Sequence, residues 1–265
     1  MIRIDSEDLD IQKIALSGQC FRFNKTAAAE DMWETTAFGR TLELRALSDG
    51  AELFCGEEEY LSVWKDYFDM DYDYGAVRAS IDPSDAYLTR AAELGRGIRI
   101  LRQDPWETLI SFIISQRKNI PAIKAGVEAV CRLCGEEIGE GRYAFPTPAR
   151  LAAASLDELK CCSLGYRVPY VSAAARAVDE GSLDLEKLSA LSDSELLEEL
   201  MKLYGVGIKV ASCAMLFGFH RIGAFPIDVW ISRVLKSEYP DGFPFERYQG
   251  YAGVLQQYMF FNAIS

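Results

Sequence analysis

The chain has 265 residues, of which 49% are apolar and 26% charged, so it can bury a sizeable core and disorder is not expected. Its 40 acidic and 28 basic residues give a formal net charge of −12, which alone argues against a nucleic-acid partner because phosphates repel acidic surfaces. No apolar run approaches the roughly 18 residues of a membrane span, and the acidic start MIRIDSEDLD is unlike a signal peptide. We therefore expect a cytoplasmic protein.

The first 75 residues or so alternate apolar and polar side chains between turn signals such as Ser48-Asp49-Gly50, which predicts antiparallel strands. Helical spacing begins with EEEYLSVWKDYF and persists along nearly all of the remaining chain. We therefore predict an α+β fold, mainly α, in which a small N-terminal antiparallel sheet packs on a larger helical body. We place the division between a sheet domain over 1–96 and a helical catalytic domain over 97–265.

A strong helix start lies in DPWETLISFIISQ, where Asp104 can cap, Pro105 fits the first helical position and Glu107 can close a capping box. Apolar side chains follow nearly all round, which predicts a central buried helix. The polar stretch QRKN ends this helix, and a second begins at Pro121. Further helices are predicted over 147–160, 168–180, 183–188, 193–203, 207–218, 229–238 and 246–262.

The seven cysteines are an odd number without disulfide-framework spacing, so we expect free thiols in a reducing compartment. Cys131 and Cys134 form a C-x-x-C, but the segment AVCRLCGEE is typical of the end of an amphipathic helix, and no second pair follows. We expect no metal site there.

The stretch 193–219 predicts a helix-hairpin-helix: one helix ends near Leu203, Gly205 and Gly207 permit a tight turn, and a second helix starts near Ile208. The free N–H groups at the start of that second helix form an anion site that a DNA phosphate would fit. Any pair of antiparallel helices can use glycine in its turn, so the hairpin alone is weak evidence.

Lys209 occupies the first turn of the second helix, where the helix dipole favours the neutral, nucleophilic amine. Such an amine can form a Schiff base, although position alone does not separate this role from a phosphate-binding surface lysine. Cys213 lies one turn on, where it either packs or lines a pocket beside the amine.

Asp228 follows nineteen positions later, in FPIDVW, and its simplest role is the N-cap of the next helix. A carboxylate held there can also stabilise positive charge on a sugar as its base departs. A lysine and an aspartate at this spacing after a Gly-x-Gly hairpin are far more specific than either residue alone.

Taken together, GVGIKVASC and FPIDVW resemble the signature of the helix-hairpin-helix DNA glycosylases of the Gly/Pro-Asp superfamily, specifically the 8-oxoguanine DNA glycosylase branch. The similarity covers almost the whole chain. Further stretches that carry it are SGQCFRF, RQDP with SFIISQRKNI, LGYR with Tyr170-Val171, and YAG with Gln256. No cysteine follows Cys213, so the four-cysteine iron–sulfur loop of some relatives is absent.

The resemblance implies that Lys209 attacks C1′ of the damaged nucleotide and that Asp228 assists both glycosidic cleavage and the later lyase step. It further implies that the Gly18 carbonyl accepts a hydrogen bond from N7–H of 8-oxoguanine, a proton that guanine lacks. The flipped base itself would be held by three more residues. These are Gln256 on its Watson–Crick edge, and Phe260 and Cys213 on its two faces.

Arg117 stands where the eukaryotic enzymes of this branch carry an asparagine that fills the gap left by the flipped base. We predict that Arg117 is the wedge and that Tyr166 kinks the duplex, although Gln116 or Lys118 can exchange roles with Arg117 after a small loop shift. The predicted DNA-binding set also includes Arg167, Gly205 and Gly207.

Two other departures concern DNA contacts. Ala122 replaces the arginine that reads the opposite cytosine, and a methyl group cannot hydrogen-bond to cytosine, so we predict relaxed opposite-base selectivity. Trp230 replaces a phosphate-contacting histidine, and its simpler role is that of a core aromatic.

The sequence thus predicts a bifunctional glycosylase and lyase that acts on 8-oxoguanine in duplex DNA. We expect a monomer that associates with the nucleoid and does not bind membranes. No cofactor is required, and hairpin carbonyls can hold a monovalent ion. To bind DNA, a local basic face must outweigh the repulsion between the acidic chain and the phosphates within a Debye length of about 8–10 Å. We assign four residues to this face: Arg117, Lys118, Arg167 and Lys202. The alternatives are a monofunctional alkylated-base glycosylase, a non-catalytic helix-hairpin-helix protein, and a helical protein that binds no DNA.

Overall fold

The computed structural model describes residues 1–265 and begins with a five-stranded antiparallel sheet in the order β1-β5-β4-β3-β2. Its strands are β1 Ile2–Asp5, β2 Phe23–Lys25, β3 Met32–Ala37, β4 Arg40–Leu47 and β5 Gly50–Leu53. Alternation of buried Leu42 and Leu44 with outward-facing neighbours sets the register of β4 and confirms the predicted strand pattern. The predicted turn before Gly50 joins β4 to β5.

Fifteen helices and a short hairpin make up the rest of the structure. In chain order the helices are α1 Ile11–Leu16, α2 Glu57–Glu59, α3 Lys65–Tyr67, α4 Tyr74–Ala79, α5 Ala86–Leu94, α6 Pro105–Ser115, α7 Ile120–Cys134, α8 Pro148–Ala153, α9 Leu156–Lys160, α10 Val168–Asp179, α11 Leu185–Ser189, α12 Asp193–Met201, α13 Ile208–Phe217, α14 Val229–Glu238 and α15 Ala252–Ile264. A π-helical segment, Tyr60–Trp64, joins α2 to α3, and a 3₁₀ turn, Gly165–Arg167, precedes α10. The hairpin strands are β6 Glu137–Gly139 and β7 Arg142–Tyr143.

Two predicted helices differ from the observed ones. The helix predicted over 147–160 is broken into α8 and α9, because Ser155 forms a complete capping box with Glu158 and starts a new helix. The helix predicted over 246–262 begins only at Ala252, after a series of turns. The β6–β7 hairpin was not predicted.

Helix α6 lies at the centre of the helical body, as its apolar composition predicts. Asp104 caps it by accepting a hydrogen bond from Glu107 N at 2.8 Å, and every residue from Thr108 to Ser115 is buried. The Glu107 side chain does not complete the predicted capping box. Helices α7, α10 and α13 pack around α6, so the residues at its C-terminal end are held among three rigid elements.

Two hydrophobic cores divide the chain. The smaller core joins the sheet to α1 and to the helical segment that ends at Phe68, while the larger core fills the helical body. Helices α4 and α5 contribute to the larger core, and α5 packs against α15. Apart from Phe21 in the larger core and Leu101 in the smaller one, the residues of the two cores separate near residue 70. The predicted domain boundary at 96/97 stays a prediction.

None of the helices combines the length and the apolar composition that a membrane crossing requires.

Candidate active site

A helix-hairpin-helix forms within the predicted stretch 193–219. Helix α12 ends at Met201, a turn reverses the chain, and α13 starts at Ile208 with Gly207 as its N-cap. Gly205 has φ +82°, and a Cβ there would overlap the Tyr170 ring, so only glycine fits this corner. Gly207 offers no capping side chain, so the first N–H groups of α13 remain available to an anion.

Lys209 projects from that first turn towards the end of α6. Its Nζ lies 5.1 Å from the centroid of the Phe112 ring, a cation–π geometry that orients the amine. The Cys213 thiol lies one turn along the same helix. Burial raises the pKa of Cys213 to about 11 although nearby Lys209 lowers it, so the thiol stays protonated at neutral pH.

Asp228 caps α14, as predicted. Its Oδ1 accepts a hydrogen bond from Ile231 N at 2.8 Å, which fixes the carboxylate at the mouth of the site. The side chain is half-buried and close enough to Cys213 to raise the pKa of that thiol.

A single cavity of about 420 Å³ brings together all six residues predicted to act on the nucleotide. This volume is within the usual range of small-ligand sites. The six are Gly18, Lys209, Cys213, Asp228, Gln256 and Phe260. The structure thus supplies the geometry that the predicted roles need, while the roles themselves stay predictions.

Two residues that line the cavity carry acceptors that no protein donor satisfies. Gln256 donates from Nε2 to Pro226 O at 3.0 Å, while its Oε1 is buried without a partner. Gly18 has φ +72°, and a Cβ there would crowd the Phe260 ring at 3.2 Å. Its carbonyl accepts no hydrogen bond, whereas the Ser17 carbonyl is held by Gln257 Nε2 at 2.6 Å.

The loop after α6 separates the three candidates for the wedge. Gln116 Nε2 donates to Ile113 O and Gly205 O, both at 3.1 Å, and Lys118 Nζ donates to Ser163 O at 2.7 Å. Arg117 is exposed, makes no side-chain hydrogen bond and has φ +52°, an uncommon backbone conformation. Its side chain is the one of the three that no hydrogen bond restrains, and its role as the wedge stays a prediction.

Arg167 is the one predicted DNA-contacting residue that the structure removes from the surface. It is 5% exposed, and its guanidinium donates to Gln116 O at 2.7 Å and to Leu164 O at 2.9 Å. The prediction that Arg167 belongs to a basic face is wrong. Its guanidinium is buried and hydrogen-bonds to backbone carbonyls, so it stabilises the loop that carries Arg117 and does not face DNA. Tyr166 is 48% exposed, with the Arg167 guanidinium 4.3 Å from its ring centroid. Lys202 is exposed but ion-paired with Glu199.

Sequence reasoning missed three residues of the site. Phe112 was assigned only to the core because its helix is apolar all round, and nothing in that pattern marks a ring beside an amine. Arg233 and Lys236 line a groove outside the cavity mouth. Their spacing of three and six positions from Trp230 places all three on one helix face, a signal that the sequence does carry.

Comparison with known proteins gives matches over most of the chain. Residues 1–109 match the family model for the N-terminal domain of 8-oxoguanine DNA glycosylase, and residues 110–240 match that for helix-hairpin-helix base excision DNA repair proteins. A crystal structure of the Clostridium acetobutylicum 8-oxoguanine glycosylase/lyase, bound to double-stranded DNA with cytosine opposite 8-oxoguanine, is 32% identical with a TM-score of 0.90. The match covers 100% of this chain and 98% of that one.

Two curated relatives carry the name N-glycosylase/DNA lyase. The probable enzyme of Methanothermobacter thermautotrophicus is 30% identical over 65% of this chain and 62% of its own length. The Saccharomyces cerevisiae protein is 33% identical over 75% of this chain and 55% of its own length. The chain therefore spans less than two thirds of either relative.

Proposed function

Because the chain belongs to the 8-oxoguanine DNA glycosylase family of the helix-hairpin-helix superfamily, we propose that it excises 8-oxoguanine from duplex DNA and then cleaves the strand. The observation that carries this proposal is the cavity in which the Lys209 amine, the Asp228 carboxylate and two unsatisfied acceptors meet. An amine aimed into a purine-sized pocket supports covalent catalysis.

Selection of the lesion would rest on the Gly18 carbonyl. 8-Oxoguanine carries a hydrogen on N7 and can donate to this carbonyl, whereas guanine presents a lone pair there and leaves the acceptor unpaired. The buried Gln256 Oε1 would accept from the N1–H and N2–H groups of the Watson–Crick edge. Phe260 and the protonated Cys213 would close on the two faces of the ring.

The chemistry would proceed through Lys209. Its amine attacks C1′, the bond from C1′ to N9 breaks, and the base leaves with the bonding electron pair and takes up a proton. Opening of the sugar ring gives a Schiff base between C1′ and Nζ. Loss of a proton from C2′ then expels the 3′ phosphate by β-elimination, and water releases the amine. Asp228, fixed by its cap hydrogen bond, stabilises positive charge on the sugar throughout.

This route uses only the chain's own side chains and needs no organic cofactor. A monovalent cation at the hairpin would serve binding alone. The Tyr204 and Val206 carbonyls accept no hydrogen bond from the protein, so oxygen ligands of the kind that alkali ions prefer are available there. Such an ion would bridge the hairpin to a phosphate.

The proposed partner is damaged double-stranded DNA, bound by a monomer in the cytoplasm, in association with the nucleoid. Duplex binding is compatible with the net charge of −12 because the groove beside the cavity contains Arg117, Lys118 and Lys209 and only one acid, Asp228. Carboxylates elsewhere are screened over about 8–10 Å at physiological salt.

Incubation with duplexes that carry either 8-oxoguanine or an alkylated purine tests this function. We expect base release and strand scission on the 8-oxoguanine duplex alone. Base release from the alkylated duplex without scission would instead identify a monofunctional enzyme, which the Lys209 geometry disfavours. Binding without release of either base would identify a non-catalytic DNA-binding protein, and no binding would exclude all three.

A further inference from the structure

The groove outside the cavity mouth has a wall that the proposed chemistry does not use. This groove, of about 790 Å³, shares Lys209, Asp228 and Trp230 with the cavity and continues along α14. Beyond Trp230 that wall consists of polar and basic side chains. These are Ser232, Arg233 and Lys236.

Helix α14 is oriented so that these basic groups cannot turn inward. Ile231 and Val234 are buried on its opposite face, and Asp228 pins its first turn. Trp230, Arg233 and Lys236 follow at intervals of three residues and are all exposed. Their positions therefore form one row facing the groove.

The charges in this row have no partners in the protein. Arg233 and Lys236 form no ion pair, although acids outnumber bases by 12 in the chain and Lys202 and Lys187 are both paired. The Arg233 guanidinium lies 5.1 Å from the centroid of the Trp230 ring, which holds it in place without neutralising it. Unpaired, preoriented cations in an acidic protein favour a polyanion as the occupant.

We propose that Arg233 and Lys236 bind two successive phosphates of the damaged strand. This inference rests on the proposed function, because a nucleotide whose base fills the cavity has its sugar at Lys209, and its own strand must then run along this groove. The two residues are three positions apart, about 4.5 Å along the helix axis, and both side chains are long and flexible, so their charged ends can reach two neighbouring phosphates of one strand.

Salt dependence of binding tests this assignment directly. The affinity of wild type, Arg233→Gln, Lys236→Gln and the double variant is measured over a series of KCl concentrations, on a duplex with an uncleavable abasic analogue. Each lost phosphate contact lowers the slope of log affinity against log salt by about 0.9, so the double variant should lose about 1.8. Arg233→Lys should keep the slope, because it keeps the charge.

Matched controls separate a local contact from a general change of charge. Arg90 is also exposed and stacks on an aromatic ring, with its guanidinium 5.6 Å from the Tyr87 centroid, but it lies outside the groove. Arg90→Gln and Lys187→Gln should leave the slope unchanged. The two control variants should also keep single-turnover excision at saturating enzyme within roughly two-fold of wild type.

A slope that does not change in Arg233→Gln and Lys236→Gln would overturn the proposal, and so would weaker binding at an unchanged slope. The proposed function fails by a different result, the absence of base release from oxidised duplex by the wild-type protein. Reduced slopes together with intact excision support both proposals. If the variants keep the wild-type salt slope while the wild-type protein excises the oxidised base, the phosphate contacts of α14 are excluded and the proposed function stands.

Discussion

The Lys209 Nζ lies 5.1 Å from the centroid of the Phe112 ring, and Phe112 in turn stacks on Phe217 with ring centroids 5.5 Å apart. Phe112 is 4% exposed and belongs to α6, the most deeply buried helix of the fold. The reactive group of the proposed mechanism is therefore held by the core of the protein, through a ring that cannot move without repacking α6.

Replacement of Phe112 by leucine should slow the chemical step. The ring positions Nζ, and displacement of a reacting group by about 1 Å can cost about 100-fold, so its loss predicts a fall of up to roughly 100-fold in single-turnover excision of 8-oxoguanine. Phe23→Leu is the control, since Phe23 is fully buried in the sheet core and its loss should lower stability without changing the excision rate. Equal rates for wild type and Phe112→Leu would remove the orienting role of the ring.

Arg117→Gly should impair base flipping without lowering the stability of the fold. Relief of the positive φ is worth about 1 kcal/mol, so the melting temperature should hold or rise. Excision from a fully paired duplex should nevertheless fall at least about ten-fold, with a smaller loss on a mismatched lesion that is already easier to extrude. Glu140→Gly is matched in φ at +52° and should leave excision unchanged. An equal loss on paired and mismatched lesions would contradict the wedge role.

Ala122 predicts relaxed selectivity for the base opposite the lesion. It is exposed in the first turn of α7, where its methyl group offers cytosine no hydrogen bond. Excision rates measured opposite each of the four bases should lie close together, and Ala122→Arg should raise the preference for cytosine. A strong cytosine-only preference in the wild-type protein would show that another residue reads the opposite base.

Glu107 should make stability depend on pH. Burial raises the pKa of its carboxyl to about 8, although nearby Arg22 lowers it, whereas the unfolded value is close to 4.5. The folded state therefore binds this proton more tightly, and its contribution to stability is complete below about pH 4.5 and is lost as the pH rises through 8. Glu107→Gln should flatten the fall in melting temperature between pH 5 and pH 8. An unchanged pH profile would contradict the raised pKa.

Local structure was the part most accessible from sequence. Asp104 and Asp228 cap the helices that they were predicted to cap, because an N-cap depends on a few adjacent residues. The Gly205 corner was predicted for the same reason, while its contact with the Tyr170 ring was not. The break between α8 and α9 was also encoded locally, in the capping box from Ser155 to Glu158, and could have been found.

Long-range arrangement was accessible only through the family resemblance. Gly18, Lys209 and Gln256 lie far apart in the chain, and no periodicity predicts that they line one cavity. Arg167 was misassigned for a related reason. A sequence reveals that a residue is charged but not the direction in which its side chain points. Its guanidinium is turned into the wedge loop by the carbonyls of Gln116 and Leu164.

Borohydride trapping tests the central claim that Lys209 forms a covalent bond with the sugar. Wild-type protein mixed with an 8-oxoguanine duplex and reduced should give a stable protein–DNA adduct, and peptide mapping should locate the DNA on Lys209. Lys209→Gln should give no adduct, while Lys202→Gln, a change at an ion-paired surface lysine of the same hairpin, should trap as wild type does. An undiminished adduct in Lys209→Gln, or an adduct mapped to another residue, would contradict the account.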